Sequence, residues 1–335
     1  MGLFNFFFGY KKTTNVAKMP SRSPSSKVIS FRGKFAEIPS LGFFGPFKKS
    51  YSGEWAICWS DSDAPNHRGG YRESGHGRYI LYNVTQDTIA LQGNLERPNS
   101  GSVADNGNFA IEDWHFGNAL SGTFYVMSSA GRELIKRKFE ANIYNSTISD
   151  TGRFAVCQTA NSPKGEDGNR LTAFDVEKAI ELFSIHPPTG WADSYKFIED
   201  IPKVGVVVNK IGTFYYDILG RFIDSEEFDT ARLRCDRYDV VLLAAEEIVK
   251  APELNDQFAN AALEAAIRAL SLGAEKNQNW KAVALKIQGL AHEFLLNNEA
   301  AIAAFDEALL INPKIGLKRK ADSLRKKLKL TRRFD

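Results

Sequence analysis

The densest group of side chains able to do chemistry lies between residues 60 and 76: Asp61, Asp63, His67, Arg68, Arg72, Glu73 and His76. Two or three such carboxylates and imidazoles, converging within coordination distance, would hold a divalent metal and activate water for hydrolysis. No matching ligand set recurs elsewhere in the chain. The stretch therefore reads first as a solvated connection that touches a protein partner, and only second as a metal-dependent hydrolase. Phosphate-cradling loops, dinucleotide glycine fingerprints, H-E-x-x-H and nucleophile elbows are all missing from the sequence. Of the five histidines, His67, His76, His115 and His186 fall in or beside expected loops. No catalytic residue, metal ligand or cofactor site is assigned on this basis.

The elements that must position this stretch repeat. A glycine followed two residues later by a large apolar residue recurs at Gly77, Gly122 and Gly212, with a looser copy at Gly168 whose apolar residue comes one position later, at intervals of about 45 residues. A second series, polar residue-Gly-x-aromatic-Ala, stands at Gly53, Gly107 and Gly152. The aromatic and the apolar residue two further on share one face of a strand. Each strand-opening glycine is expected to sit at positive φ, where a strand begins abruptly. Strands are read over Trp55–Trp59, Tyr79–Val84, Thr88–Leu91, Phe109–Ile111, Phe124–Met127, Glu133–Ile135, Phe154–Cys157, Leu171–Asp175, Ile180–Ile185, Gly205–Val208 and Phe214–Ile218. Val28–Phe31 and Lys34–Ile38 read as a hairpin turning at Arg32 and Gly33. The 60–76 stretch then becomes the longest connection between a second and a third strand, and long loops on rigid scaffolds gather binding residues. The loop around Asn161–Gly168 occupies the equivalent place one unit later and would share its rim.

On these motifs, with the aromatic-acid pairs Phe174-Asp175 and Tyr216-Asp217, residues 28–225 resemble the WD-repeat-like β-propeller superfamily. The likeness implies blades of about four antiparallel strands; the repeats make four to five blades, few for the family. The chain departs from the family in having no Trp-Asp dipeptide and in placing Val126-Met127 where an acid could stand. Either the 28–38 hairpin closes a small propeller, or the array stays open and the C-terminal region covers its edge.

Past Asp224 the periodicity becomes helical, and residues 226–330 form the second expected domain. Trp280–Leu296 and Glu299–Ile311, ended by Asn312-Pro313, look like a tetratricopeptide repeat, with Gly289 at the helix crossing, Phe305 as plug and Ala301 and Ala308 as small packing residues. The pair before it is a degenerate copy, so the likeness to tetratricopeptide helical hairpins covers residues 236–330. Gln288 and His292 depart from the pattern. Val283, Lys286, Leu290 and Phe294 are the face that could take a partner helix, although packing within the chain accounts for the same residues. In the last helix Leu317, Ala321, Leu324 and Leu328 form one apolar stripe. Around it Lys318, Arg319, Arg325, Lys326 and Lys329 are candidate contacts for an anion, or the solvated face of a capping helix.

The 335 residues carry a net charge of +3, with 43% apolar and 12% aromatic content, too apolar for a disordered chain. The charge is uneven. Residues 1–50 hold nine Lys or Arg against Glu37 alone, residues 314–335 hold ten against two acids, and residues 236–310 hold twelve acids against six bases. Such a layout favours nucleic acid, an anionic membrane surface, or contact between the parts themselves. Cys58, Cys157 and Cys235 show no paired spacing, which suits a reducing, cytoplasmic setting. Residues 1–27 read as an apolar start and a Ser/Pro/Lys linker. Residues 1–12 could touch a membrane interface or pack on the body, but they fit neither a signal peptide nor a myristoylation pattern. The expected fold class is α+β multidomain: a small or incomplete propeller followed by tetratricopeptide-like hairpins. The expected function is a non-enzymatic protein-interaction scaffold.

Overall fold

The computed structural model describes residues 28–63, 69–117, 120–163 and 165–331. Among them are seventeen strands in four antiparallel sheets, followed by six α-helices. The first sheet holds β1 (Ser30–Arg32), β2 (Phe35–Ile38), β3 (Phe43–Lys49), β4 (Trp55–Ser60), β5 (Gly77–Asn83) and β6 (Thr88–Leu95). The second holds β7 (Pro98–Val103), β8 (Phe109–Trp114), β9 (Gly122–Met127) and β10 (Glu133–Phe139). The third holds β11 (Ile143–Ile148), β12 (Phe154–Thr159), β13 (Leu171–Asp175) and β14 (Ile180–Ile185), and the fourth β15 (Ser194–Ile198), β16 (Lys203–Val208) and β17 (Gly212–Asp217). Each is a meander in chain order.

The sheets pack face to face in sequence. β7 lies against β4 and β3, β11 against β7 and β8, and β15 against β11. One apolar layer joins the first two sheets through Ile57, Leu81, Phe109 and Ile111. A second joins sheets two and three through Val126, Phe139, Ile143 and Phe174. A third joins sheets three and four through Val156, Leu171, Phe183 and Val206. Middle strands are therefore covered on both faces: β12 and β13 are buried at every residue, whereas β6 alternates between exposed and half-buried positions. Phe109, Phe154 and Phe214 all turn inward, as the repeat requires.

The β1–β2 hairpin read from the sequence joins the first sheet. β3 is shared: its first half pairs with β2 and its second half with β4. The hairpin folds back across the first sheet, bringing the Phe31 ring to 6.2 Å from Tyr82 of β5. Arg78 on β5 donates to the carbonyls of Leu41 and Gly42, 3.0 Å each. Ala36 and Ile38 thereby bury the face made by Ala56, Cys58 and Ile80.

Two sequence expectations change. Gly77, Gly122 and Gly212 open strands as expected, but none of the first glycine series has positive φ; that backbone belongs to Gly53, Gly107 and Gly152. Gly77 is needed for close approach, because a Cβ there would overlap Ser60 and Pro98. The strands β3, β7, β11 and β15, one per sheet, also went unrecognised in the sequence.

The helices are α1 (Ser225–Arg234), α2 (Tyr238–Lys250), α3 (Asp256–Ser271), α4 (Gln278–Phe294), α5 (Asn298–Ile311) and α6 (Lys318–Thr331). Phe228 of α1 meets Phe214 at 4.9 Å and Phe222 at 5.7 Å, edge to face, and so joins the helices to the fourth sheet. Asn255 and Asn277 cap α3 and α4 by accepting backbone N–H bonds. A Cβ at Gly289 would overlap the Phe305 ring, so that glycine sets how closely α4 and α5 cross. Ala301, Phe305 and Ala308 are fully buried at that crossing. Among the described residues no helix is long and apolar enough to cross a membrane.

Candidate functional site

The stretch nominated for chemistry is built into the seam between the first two sheets. Asp61 follows β4, and its Oδ1 pairs with Arg72 at 2.8 Å and with Arg97 at 3.3 Å. Its Oδ2 accepts the Gly70 N–H at 2.7 Å. Arg72 is buried, donates to the Glu96 carbonyl at 2.7 Å, and lies over the Phe116 ring. Asp63 is buried against Gly75, where a Cβ would strike its carboxylate. A carboxylate shared between two guanidinium groups has the geometry of a clasp. Glu73 and His76 are exposed, whereas His67 and Arg68 lie outside the described residues. Among the described residues no three His, Cys, Asp or Glu side chains are grouped to hold a metal.

The clasp continues into the second sheet. Asp113 of β8 accepts the Arg97 N–H at 2.7 Å, while burial raises its carboxyl to about 6. His115 is held by hydroxyls on both sides, Ser121 at Nδ1 and Thr123 at Nε2, both at 2.9 Å, and burial lowers its pKa. Beside Asp113, Glu112 points into the interface with the third sheet and is 1% exposed. Ser146 of β11 donates to its Oε1 at 2.7 Å, Oε2 has no partner, and desolvation raises the carboxyl to about 7.

A different feature faces outward. Trp191, before β15, and Tyr144 of β11 stack at 5.2 Å with a 23° interplanar angle, 47% and 48% exposed. Their backbone is fixed from beneath. Buried Gln158 donates to the Gly190 carbonyl and accepts the Ala192 N–H, both at 2.9 Å, so one amide grips the residues on either side of Trp191. Asn145 donates to the Ala192 carbonyl at 2.5 Å and accepts from Tyr195. Thr189 bonds the Tyr216 hydroxyl at 2.9 Å. Sequence reading passed over this pair. The available signal was Pro187-Pro188-Thr189-Gly190, a turn that brings a tryptophan straight after a positive-φ glycine.

The helical candidates do not share one surface. Val283 packs into the layer of α2 and α3, and Leu290 into that of α5 and α6. Lys286 bonds Glu246 of α2 at 2.8 Å, and Phe294 is exposed. On α6, Arg325 pairs with Asp306 and Asp322, while Lys318, Arg319, Lys326 and Lys329 are exposed around buried Ala321 and Leu324.

No known protein-family profile matches the chain, and no curated protein matches it. Similarity to solved structures is remote. A chain of a crystal structure of the mitotic checkpoint complex aligns at 8% identity and TM-score 0.35, covering 56% of each chain. The β-propeller domain of the Trilobed protease from Pyrococcus furiosus, described as having an open velcro topology, aligns at 10% identity and TM-score 0.32 over 50% of each chain. A computationally designed protein, Ika8, aligns at 10% identity and TM-score 0.34, covering 53% of this chain and 54% of that one. The chain spans about half the length of the solved structures it matches.

Proposed function

We propose that this protein is a non-enzymatic interaction scaffold of the cytoplasm, a propeller-like sheet array over 28–225 joined to tetratricopeptide-like hairpins over 226–330. The observation that carries the reading is the Trp191–Tyr144 pair. Large half-exposed rings contribute little to folding, yet a buried glutamine and an asparagine hold their backbone in place. Rigid aromatics with few rotatable bonds are the side chains that anchor protein interfaces. Glu73 and His76 on the rim connection and Phe294 on the helices are further exposed candidates for contact. The propeller reading is supported by the serial packing of β3, β7, β11 and β15, and the hairpin reading by the Gly289–Phe305 crossing. The test is a quantitative affinity purification from the native host with wild type and W191A/Y144A. Matched melting temperatures with at least tenfold loss of a specific partner are expected. Retention of the same partners in the same amounts would end the proposal.

A second reading rests on the exposed bases of α6. Docking on nucleic acid or an anionic membrane through Lys318, Arg319, Lys326 and Lys329 requires retention that falls steeply between about 50 and 200 mM salt. Absence of binding to DNA, RNA or acidic liposomes at the low-salt end would exclude it.

A further inference from the structure

We propose that the groove between α1, α2 and α3 receives the chain's own N-terminal segment, Leu3 to Lys12. The groove has a volume of about 840 Å³ and an apolar floor in two facing stripes. Ala244 and Ile248 of α2, with Ala251 just past its end, supply one, at steps of four and three. Phe258, Ala261 and Ala265 supply the other from α3, at steps of three and four. Phe258 lines the groove and is 46% exposed. The walls are fixed. Arg232 of α1 makes a bidentate pair with Glu247 of α2, 2.7 Å at each nitrogen. Arg268 of α3 donates to the carbonyls of Leu233 and Arg234 at 3.0 and 2.9 Å. These pairs set the spacing of the groove walls within residues 225–271.

Charge and composition select the occupant. Exposed Asp229, Glu253 and Glu264 stand at its lips beside exposed Arg234, while Arg232 and Arg268, which also line it, are committed to Glu247 and to backbone carbonyls; residues 225–271 hold ten acids against five bases. Residues 1–27 hold five bases and no acid, and within them Leu3, Phe4, Phe6, Phe7 and Phe8 precede Lys11 and Lys12. An apolar block followed by two lysines matches an apolar floor with acidic lips. The same match repels an anionic surface, which the acids around the groove would oppose. The sixteen residues from Lys12 to Val28 can span up to about 55 Å when extended. That covers four sheets spaced at about 10 Å with a helix layer beyond them. Tethering makes the contact an intramolecular one. The site lies apart from the Trp191–Tyr144 pair, so either proposal can fail without the other.

The test places a photo-crosslinking benzoylphenylalanine at position 6 of the full chain, in an equal mixture of light and ¹⁵N-labelled protein. Expected are adducts within one chain, mapping to α2 and α3. In the same background E253K/E264K should cut their yield at least fivefold, and adding K11E/K12E should restore it. Both pairs are surface changes, and circular dichroism checks that the fold is kept. Adducts joining light to heavy chains would assign the groove to a second copy. Adducts outside residues 225–271 would overturn the proposal, as would transfer of the adduct to lipid in phosphatidylserine vesicles at 150 mM salt.

Discussion

Glu112 and Asp113 show how much of this protein's behaviour is set by single buried groups. Both carboxyls are raised by desolvation, Glu112 to about 7 from an ordinary 4.5 and Asp113 to about 6 from 3.8. The native state therefore holds these protons at pH values where the unfolded chain has released them. Their contribution is fully present below about pH 4. It declines as pH rises through the window from 4 to 7 and is constant above it. Glu112 is the more fully buried of the two, its Oε2 without a partner and its other oxygen bonded by Ser146 alone. E112Q removes the ionisation while keeping the shape. It should raise stability at pH 8 by about 1–3 kcal/mol and leave it nearly unchanged at pH 4, which urea melts at the two values would resolve. Equal effects at both pH values would show that the side chain matters through packing alone.

At the scale of elements, the crossing of α4 and α5 is the most exacting contact, and the one most openly written in the sequence. Gly289 and Phe305 stand sixteen residues apart, and only the helix-turn-helix pattern says that they meet. G289A places a methyl into the Phe305 ring and should cost about 1–3 kcal/mol by overpacking. F305A alone should cost about 3–5 kcal/mol by leaving a cavity. Combining them should cost less than the sum, because each relieves the strain or void of the other. Additive losses in thermal melts of the set would mean the two residues do not touch. The strands that stayed hidden have an equally physical reason. β7 reads Pro-Asn-Ser-Gly-Ser-Val and β11 Ile-Tyr-Asn-Ser-Thr-Ile, small and polar where a buried strand is expected to be apolar. Their polar groups are met across sheets: Ser146 bonds Glu112, and Ser102 accepts the Ile148 N–H at 3.1 Å. Pairing between residues more than thirty positions apart leaves no local trace. Likewise the acids and arginines of residues 61–72 announced a polar site. That Asp61 is shared between Arg72 and Arg97 depends on a sheet boundary the local sequence does not mark.

Across the whole molecule, the sheets are joined one to the next, and each apolar layer belongs to a neighbouring pair. One end is sealed when the β1–β2 hairpin folds over the first sheet, the other when α1 sets Phe228 against the fourth. Serial packing of this kind makes stability a sum of local sheets and the interfaces between neighbours, so a break at one joint need not travel. Phe228 is the joint to test, because its ring meets Phe214 and Phe222 while Tyr216 stacks on Phe222 at 4.8 Å. F228A should cost about 3–5 kcal/mol locally. Hydrogen exchange should then quicken in β15, β16, β17 and α1, while the amides of β4 and β8 keep their wild-type protection. A uniform loss of protection through all four sheets would show instead that they open as one unit, with the layers between them too strongly coupled for any single joint to give way alone.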